Sequence, residues 1–284
     1  MIPGFDAHQA GAIAYSRGGA GPPILLLHGF PQTRAMWAPI APALARSHTV
    51  ICPDLPGYGA SAKPADVAAY SFRRMGQDLL GLMRQLGFAR FAVAGHDRGG
   101  RVAHRLALDA PGAVSRLCVM DIVPTHTLLE PLRREVAAAY WHWFFLAQPA
   151  PFPETVIGHD PDGFYHACLL GWGGARLADF DARQLAAYRA AWREAETIRG
   201  MCNDYRATLG HDFADDCADL GARVGCPTLV LYGGAGAMAR HFDIAATWAA
   251  KCSDMTARAI AGGHFFPDTA PQQTREALVA FFAG

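Results

Sequence analysis

The chain has 284 residues, of which 51% are hydrophobic and 18% charged, so it can build one large α/β domain carrying an insertion, or two small domains, and it is not disordered. Lysine plus arginine equals aspartate plus glutamate, 25 of each, which removes the electrostatic case for nucleic acid or an anionic membrane as partner. The N-terminus lacks a signal-peptide pattern and no apolar run could span a bilayer, while seven cysteines without a C-x-x-C pair fit reduced thiols in a cytoplasm.

Residues 12–15 read as an early strand, and 18–23 as a Gly/Pro turn. Residues 24–27 form a continuous aliphatic strand running into His28-Gly29-Phe30-Pro31-Gln32. A His-Gly turn after a buried strand points a backbone N–H toward the neighbouring strand end, so the Phe30 N–H is a candidate oxyanion donor. His28 itself reads as a structural histidine. Residues 37–46 look helical and 49–52 form the next strand, which ends in Pro53-Asp54-Leu55-Pro56-Gly57. Asp54 there is expected to bond the backbone of its own loop rather than act in catalysis. An amphipathic helix over 71–86 follows, with Gly87 as its C-cap.

The stretch FAVAGHDRGGRVAHR, 91–105, has the form of a nucleophile elbow: a buried strand, a tight small-residue turn, and a helix. The raised position, where serine is usual, holds Asp97. A carboxylate does not perform serine-type acyl transfer, but it can attack a saturated carbon and become an ester. Two arginines, Arg98 and Arg101, crowd that nucleophile, and guanidinium pairs suit a small carboxylate substrate. The Arg98 N–H is the second candidate oxyanion donor.

Residues 117–120 are a strand whose carboxyl end carries Asp121, on the rim where α/β enzymes bind ligands. From 125 to 221 strand-like runs disappear. Helical segments take over: one begins near 132 and holds Tyr140 to Phe145, one spans 181–199, and a third contains Asn203-Asp204-Tyr205-Arg206. His142, Trp143 and Tyr205 each offer a donor on an apolar frame, although spacing alone does not prefer them to Trp141 or Tyr140. Strands at 228–232 and 257–260 complete the pattern, the last leading into Gly262-Gly263-His264. The loop 233–238 has no acid, which favours Asp121 as partner of His264. The chain order 97, 121, 264 is that of nucleophile, acid and base in this architecture.

The fold expected is α/β: a mostly parallel sheet flanked by helices, with core 1–124 and 222–284 and an inserted helical cap, 125–221. On the motifs HDRGGRVAHR, MDIVPT, YWHWFFLAQPAPFPE, NDYRA and GGHF, the chain resembles α/β-hydrolases of the dehalogenase and epoxide hydrolase branch, and within it the haloacetate (fluoroacetate) dehalogenases. The resemblance implies Asp97 as nucleophile, His264 as base, Asp121 as its partner, and Arg98 and Arg101 as holders of the substrate carboxylate. It also implies that His142, Trp143 and Tyr205 form a halide pocket, since Phe30 has no side-chain donor. The activity implied is hydrolysis of a small 2-haloacid to glycolate and halide through an aspartyl ester, with no metal or organic cofactor. The resemblance and the aromatic cap suggest a homodimer. Two alternatives stand beside this: an epoxide hydrolase using the same Asp and His, and a non-catalytic receptor for small acids.

Overall fold

The computed structural model describes residues 2–283. Eight strands, β1 (Asp6–Ala10), β2 (Ile13–Gly18), β3 (Pro23–Leu27), β4 (Thr49–Pro53), β5 (Phe91–His96), β6 (Val114–Met120), β7 (Thr228–Gly233) and β8 (Met255–Ile260), form one sheet in the order β1-β2-β4-β3-β5-β6-β7-β8. Pairing is antiparallel from β1 to β4 and parallel from there to β8. The central strands are buried on both faces. In β3 and β5 every residue after Pro23 is buried, which is why they read as unbroken apolar runs rather than alternating ones.

On the core side the helices are α1 (Ala41–Leu44), α2 (Phe72–Gln85) and α3 (Arg98–Asp109). Between β6 and β7 the described chain is helical: α4 (Thr125–Leu129), α5 (Arg134–Ala139), α6 (Trp141–Leu146), α7 (Phe152–His159), α8 (Pro161–Gly171), α9 (Ala182–Trp192), α10 (Ala195–Ala207) and α11 (Phe213–Ala218). After β7 come α12 (Ala237–His241), α13 (Ile244–Ala249), α14 (Phe266–Thr269) and α15 (Pro271–Ala283). Among the described residues no helix is long and apolar enough to cross a membrane. All seven cysteines are free thiols.

Four local expectations are corrected. β1 was not expected, because DAHQA is exposed and polar; it exists by pairing with β2. The helix expected over 37–46 is a single 3₁₀ turn, Arg34–Trp37, followed by the short α1. Pro39 supplies no N–H to continue the first, and Pro42 starts the second. The helix expected from near 132 is split at Tyr140 into α5 and α6. The helix expected over 181–199 breaks at Glu194, where the backbone is extended. Trp192 Nε1 and the Arg193 guanidinium both turn onto Asp162 of α8, a tertiary contact that overrides local helix preference. The second half joins Asn203–Arg206 in the single helix α10.

Candidate active site

β5 hands the chain to a turn in which Asp97 has φ 50° and ψ −116°, a conformation side chains with a Cβ rarely adopt. Close backbone packing enforces it. A Cβ on Gly95 would lie 2.2 Å from the Gly99 carbonyl oxygen, and one on Gly99 would lie 2.4 Å from that of His28. The Gly99 N–H donates to His28 O at 3.0 Å, which locks the elbow against the His-Gly loop. As a result the Phe30 N–H donates to Asp97 Oδ1 at 3.0 Å. Arg98 opens α3, whose first-turn N–H groups lack intrahelical acceptors. Burial alone would raise the Asp97 pKa, but the charges of His264, His96 and Arg98 and the Phe30 N–H outweigh it and hold it at about 2. Asp97 is a carboxylate at neutral pH.

Asp121, also at positive φ (51°), directly follows β6 and faces the loop after β8. His264 Nδ1 donates to its Oδ2 at 2.7 Å, and Gly233 N–H donates to its Oδ1 at 2.8 Å. The partner carboxylate is thus fixed at both oxygens. His264 Nε2 stands 3.7 Å from Asp97 Oδ2, near but not hydrogen-bonded. Burial disfavours the imidazolium, yet the Asp121 bond and charge, then the charge of Asp97, overcome it and raise His264 above 6.5.

Both arginines are buried, and they are held differently. Arg98 donates through Nε to Asp204 Oδ2 (2.9 Å), and through Nη2 to Asp204 Oδ1 (2.5 Å) and to Thr208 Oγ1. Tyr58 OH donates to the same carboxylate at 2.6 Å. Arg101 donates through Nη1 to Val123 O at 2.9 Å and Thr125 Oγ1 at 3.1 Å. That leaves Arg98 Nη1 and Arg101 Nε and Nη2 buried with no partner. The Trp143 ring lies 4.6 Å from the Arg101 guanidinium carbon, and the Tyr205 ring 4.4 Å from that of Arg98. Burial first and the Arg98 charge second pull Arg101 down to about 10, so it remains a cation at neutral pH. A buried cation with open donors is a site for an anion.

The cap closes the opposite wall. The Tyr205 ring packs 5.2 Å from Phe30, 5.5 Å from His142 and 5.7 Å from Trp143. Tyr205 OH and His142 Nδ1 are buried without partners. Burial drives His142 far below 6.5, so it is neutral and carries one N–H, and the Asp97 charge acts on both His142 and Tyr205.

His28 is structural, accepting the Leu55 N–H at 3.0 Å, and Asp54 accepts Ala60 N–H of its own loop at 2.9 Å. Sequence reasoning missed Asp204, which neighbours Tyr205 in the NDYRA motif, because its partner Arg98 is 106 residues away. It also missed Gln32, His96 and Asp268, which lie within the singled-out motifs or just beyond them but bond only across the fold.

A family model described as alpha/beta hydrolase fold matches residues 22–271. The chain is 52% identical to a fluoroacetate dehalogenase of Burkholderia sp, over 94% of this chain and 88% of that one. It is 30% identical to a soluble epoxide hydrolase of Corynebacterium sp. (strain C12), over 100% and 96% of the two chains. Its backbone superposes on an α/β-hydrolase structure from Nostoc sp PCC 7120 with TM-score 0.96 and 42% identity, covering 99% of both.

Proposed function

This chain belongs to the α/β-hydrolase family, and from that premise we propose that it is a haloacetate dehalogenase, converting fluoroacetate or chloroacetate to glycolate and halide. One observation carries the reading: three guanidinium nitrogens, on Arg98 and Arg101, are buried without partners, and both side chains lie within electrostatic reach of an ionised Asp97. They match a substrate that is itself a small carboxylate.

In the first step the guanidinium pair holds the haloacetate carboxylate, with the α-carbon in line with Asp97 Oδ2. Phe30 N–H keeps Oδ1 turned away. Attack forms the Oδ2–carbon bond and expels halide with its electron pair, leaving glycolate esterified to Asp97. Fluoride is a poor leaving group, so donors at the departing atom carry much of the barrier. His142, Trp143 and Tyr205 supply them, each contributing about 1–4 kcal/mol in a water-poor pocket. In the second step His264 takes a proton from water, whose oxygen attacks the ester carbon. The N–H groups of Phe30 and Arg98 take the oxyanion. Collapse breaks the bond to the glycolate oxygen, which takes the proton back from His264 as it leaves, and Asp97 gives up the remaining acid proton to solvent and is restored as a carboxylate. Ester formation removes the Asp97 charge, one of the influences raising His264; the imidazole is therefore a freer base when the second step needs it.

The epoxide relative makes ring opening the competing reading. Tyr165 OH, like Tyr205 OH, is buried without a partner. However, Asp97 acts on Tyr205, whereas Tyr165 responds to Cys202, Cys168 and Glu154. The Asp97 charge also acts on Tyr140, so what weighs against ring opening is the arginine pair, which has no task on a neutral ring. Halide release from purified protein given fluoroacetate and chloroacetate tests the proposal, with Asp97→Asn as control. Halide that disappears in the variant is the expected result. Turnover of styrene oxide without halide release would replace it with the epoxide reading, and no turnover of either by the folded protein would leave a small-acid receptor.

A further inference from the structure

Three buried side chains outside the reacting set run in a line toward His264. Asp268, on α14, sits 2.5 Å from the Gln32 amide. The other end of that amide is 3.1 Å from His96 Nδ1, and His96 Nε2 is 2.9 Å from the backbone carbonyl oxygen of His264. Asp268 is held in turn by Tyr188 OH at 2.7 Å and Gln184 Nε2 at 3.4 Å. On its other side the His264 N–H donates to Trp172 O at 3.0 Å, and its ring lies 4.7 Å from that of His96. The residue that carries the base is therefore gripped through its own peptide groups, by the cap on one side and by this line on the other.

We propose that Asp268, Gln32 and His96 are positioning residues that fix the backbone of His264, and through it the imidazole, for the ester-hydrolysing half of the reaction. The inference rests on the dehalogenase reading only for which half-reaction it affects. The line carries no proton to the base, because its last bond ends on a carbonyl oxygen rather than on the ring. Its work is geometric.

Donor and acceptor pairing decides which form the line takes. With Gln32 Nε2 toward Asp268, His96 faces an acceptor at each nitrogen and must be an imidazolium opposite a carboxylate. A half-turn of the Gln32 amide gives a neutral alternative in which every group is paired. A protonated Asp268 then donates to the Gln32 carbonyl, the amide donates to His96 Nδ1, and His96 Nε2–H donates to His264 O. Burial pushes Asp268 up to about 7 and pulls His96 down to about 4, which favours the neutral form. Asparagine reproduces a protonated Asp268; alanine does not.

The test compares full-length wild type with Asp268→Asn, Asp268→Ala and Gln32→Leu, using two readouts. The first needs no substrate: the far-downfield NMR signal of the His264 Nδ1 proton shared with Asp121, assigned by its loss in His264→Asn. It should stay in place in Asp268→Asn and move or vanish in Asp268→Ala and Gln32→Leu while the remaining spectrum is kept. The second is turnover of chloroacetate. In the two disrupting variants kcat should fall about 10- to 100-fold with kcat/KM nearly constant, because alkylation is untouched and ester accumulates. Asp268→Asn should turn over like wild type. An unmoved signal in both disrupting variants overturns the relay, as does an equal loss in Asp268→Asn and Asp268→Ala, or a parallel fall of kcat and kcat/KM. If Asp268→Ala does not fold, Gln32→Leu decides. If wild type releases no halide, the dehalogenase reading falls and the NMR signal still decides the relay.

Discussion

Replacing Asp204 by Asn tests how charge is apportioned in the site. The carboxylate accepts from Arg98 Nε at 2.9 Å, Arg98 Nη2 at 2.5 Å and Tyr58 OH at 2.6 Å, and both members of the ion pair are fully buried. Asparagine keeps the volume, loses the charge, and turns an NH₂ toward groups that are themselves donors. Removing one partner of a buried ion pair costs about 3–5 kcal/mol. At roughly 2–4 °C per kcal/mol for a chain of this size, Tm should fall by roughly 6–20 °C. A second effect separates this variant from an ordinary core defect. The freed Arg98 charge stands beside Arg101, and a bound anion becomes its compensation. Acetate carries the substrate's carboxylate without a leaving group, so it should bind Asp204→Asn more tightly than wild type and recover more of the lost Tm. At a hundredfold excess over Kd, a ligand stabilises by about 2.7 kcal/mol. Thermal melts across an acetate titration, with acetamide as the neutral control, measure both effects. A Tm within about 2 °C of wild type would refute the ion-pair argument. Equal stabilisation of both proteins by acetate would refute the charge compensation, and stabilisation of neither would refute the carboxylate site.

His264→Asn should release one equivalent of halide and stop, with intact-protein mass rising by one carboxymethyl group; an unmodified protein after incubation with a substrate that wild type turns over would exclude the ester. Tyr205→Phe and Trp143→Phe each remove one of the donors proposed for the leaving atom. Each should slow fluoroacetate turnover by about 10- to 100-fold while affecting bromoacetate far less, since the better leaving group needs less help; equal losses on both would remove these residues from the halide. Ester hydrolysis needs neutral His264, so kcat should climb as pH rises through the titration of that group in the ester, where the raising influence of Asp97 is gone and that of Asp121 remains. The sign for stability is opposite. The imidazolium stabilises the fold fully below 6.5, and this contribution is lost as pH rises through the folded value. A pH–rate profile falling through that range would place the proton elsewhere.

The convergence of Asp97, Asp121 and His264 was legible because each is announced by its own strand end: a glycine-rich elbow, an acid closing an apolar run, a histidine between glycines and phenylalanines. Those are local signals, and the parallel sheet aligns strand ends. The cap was legible only in kind. Its helix limits depended on contacts such as Trp192 and Arg193 with Asp162, which span about thirty positions and leave no periodic trace. Asp204 was invisible for the same reason. An acid on a helix is ordinarily a solvated face, and only the fold buries it against Arg98. His96 and Gln32 sat inside motifs that were read for their neighbours. Polar residues in such turns have many local uses, and the distant Asp268 that defines theirs lies 236 residues beyond Gln32.

The division of the site into charged and neutral donors follows from where charge goes in the proposed reaction. Before attack the mobile negative charge is on Asp97; afterwards it is on the halide beneath the cap. The substrate carboxylate keeps its own charge throughout, so a cation can hold it in every state without penalty to the step, and Arg101 with the open edge of Arg98 is suited to that. The departing halide needs stabilisation only as it forms. A cation placed there would stabilise the product as strongly as the transition state and slow its departure. His142 is kept neutral by burial, and Tyr205 and Trp143 are neutral by nature, so the wall facing the leaving atom offers N–H and O–H groups without net charge. Asp204 completes the logic from the other side. By neutralising most of Arg98 it leaves about one net positive charge for one substrate carboxylate, and spares the halide a second cation near its path.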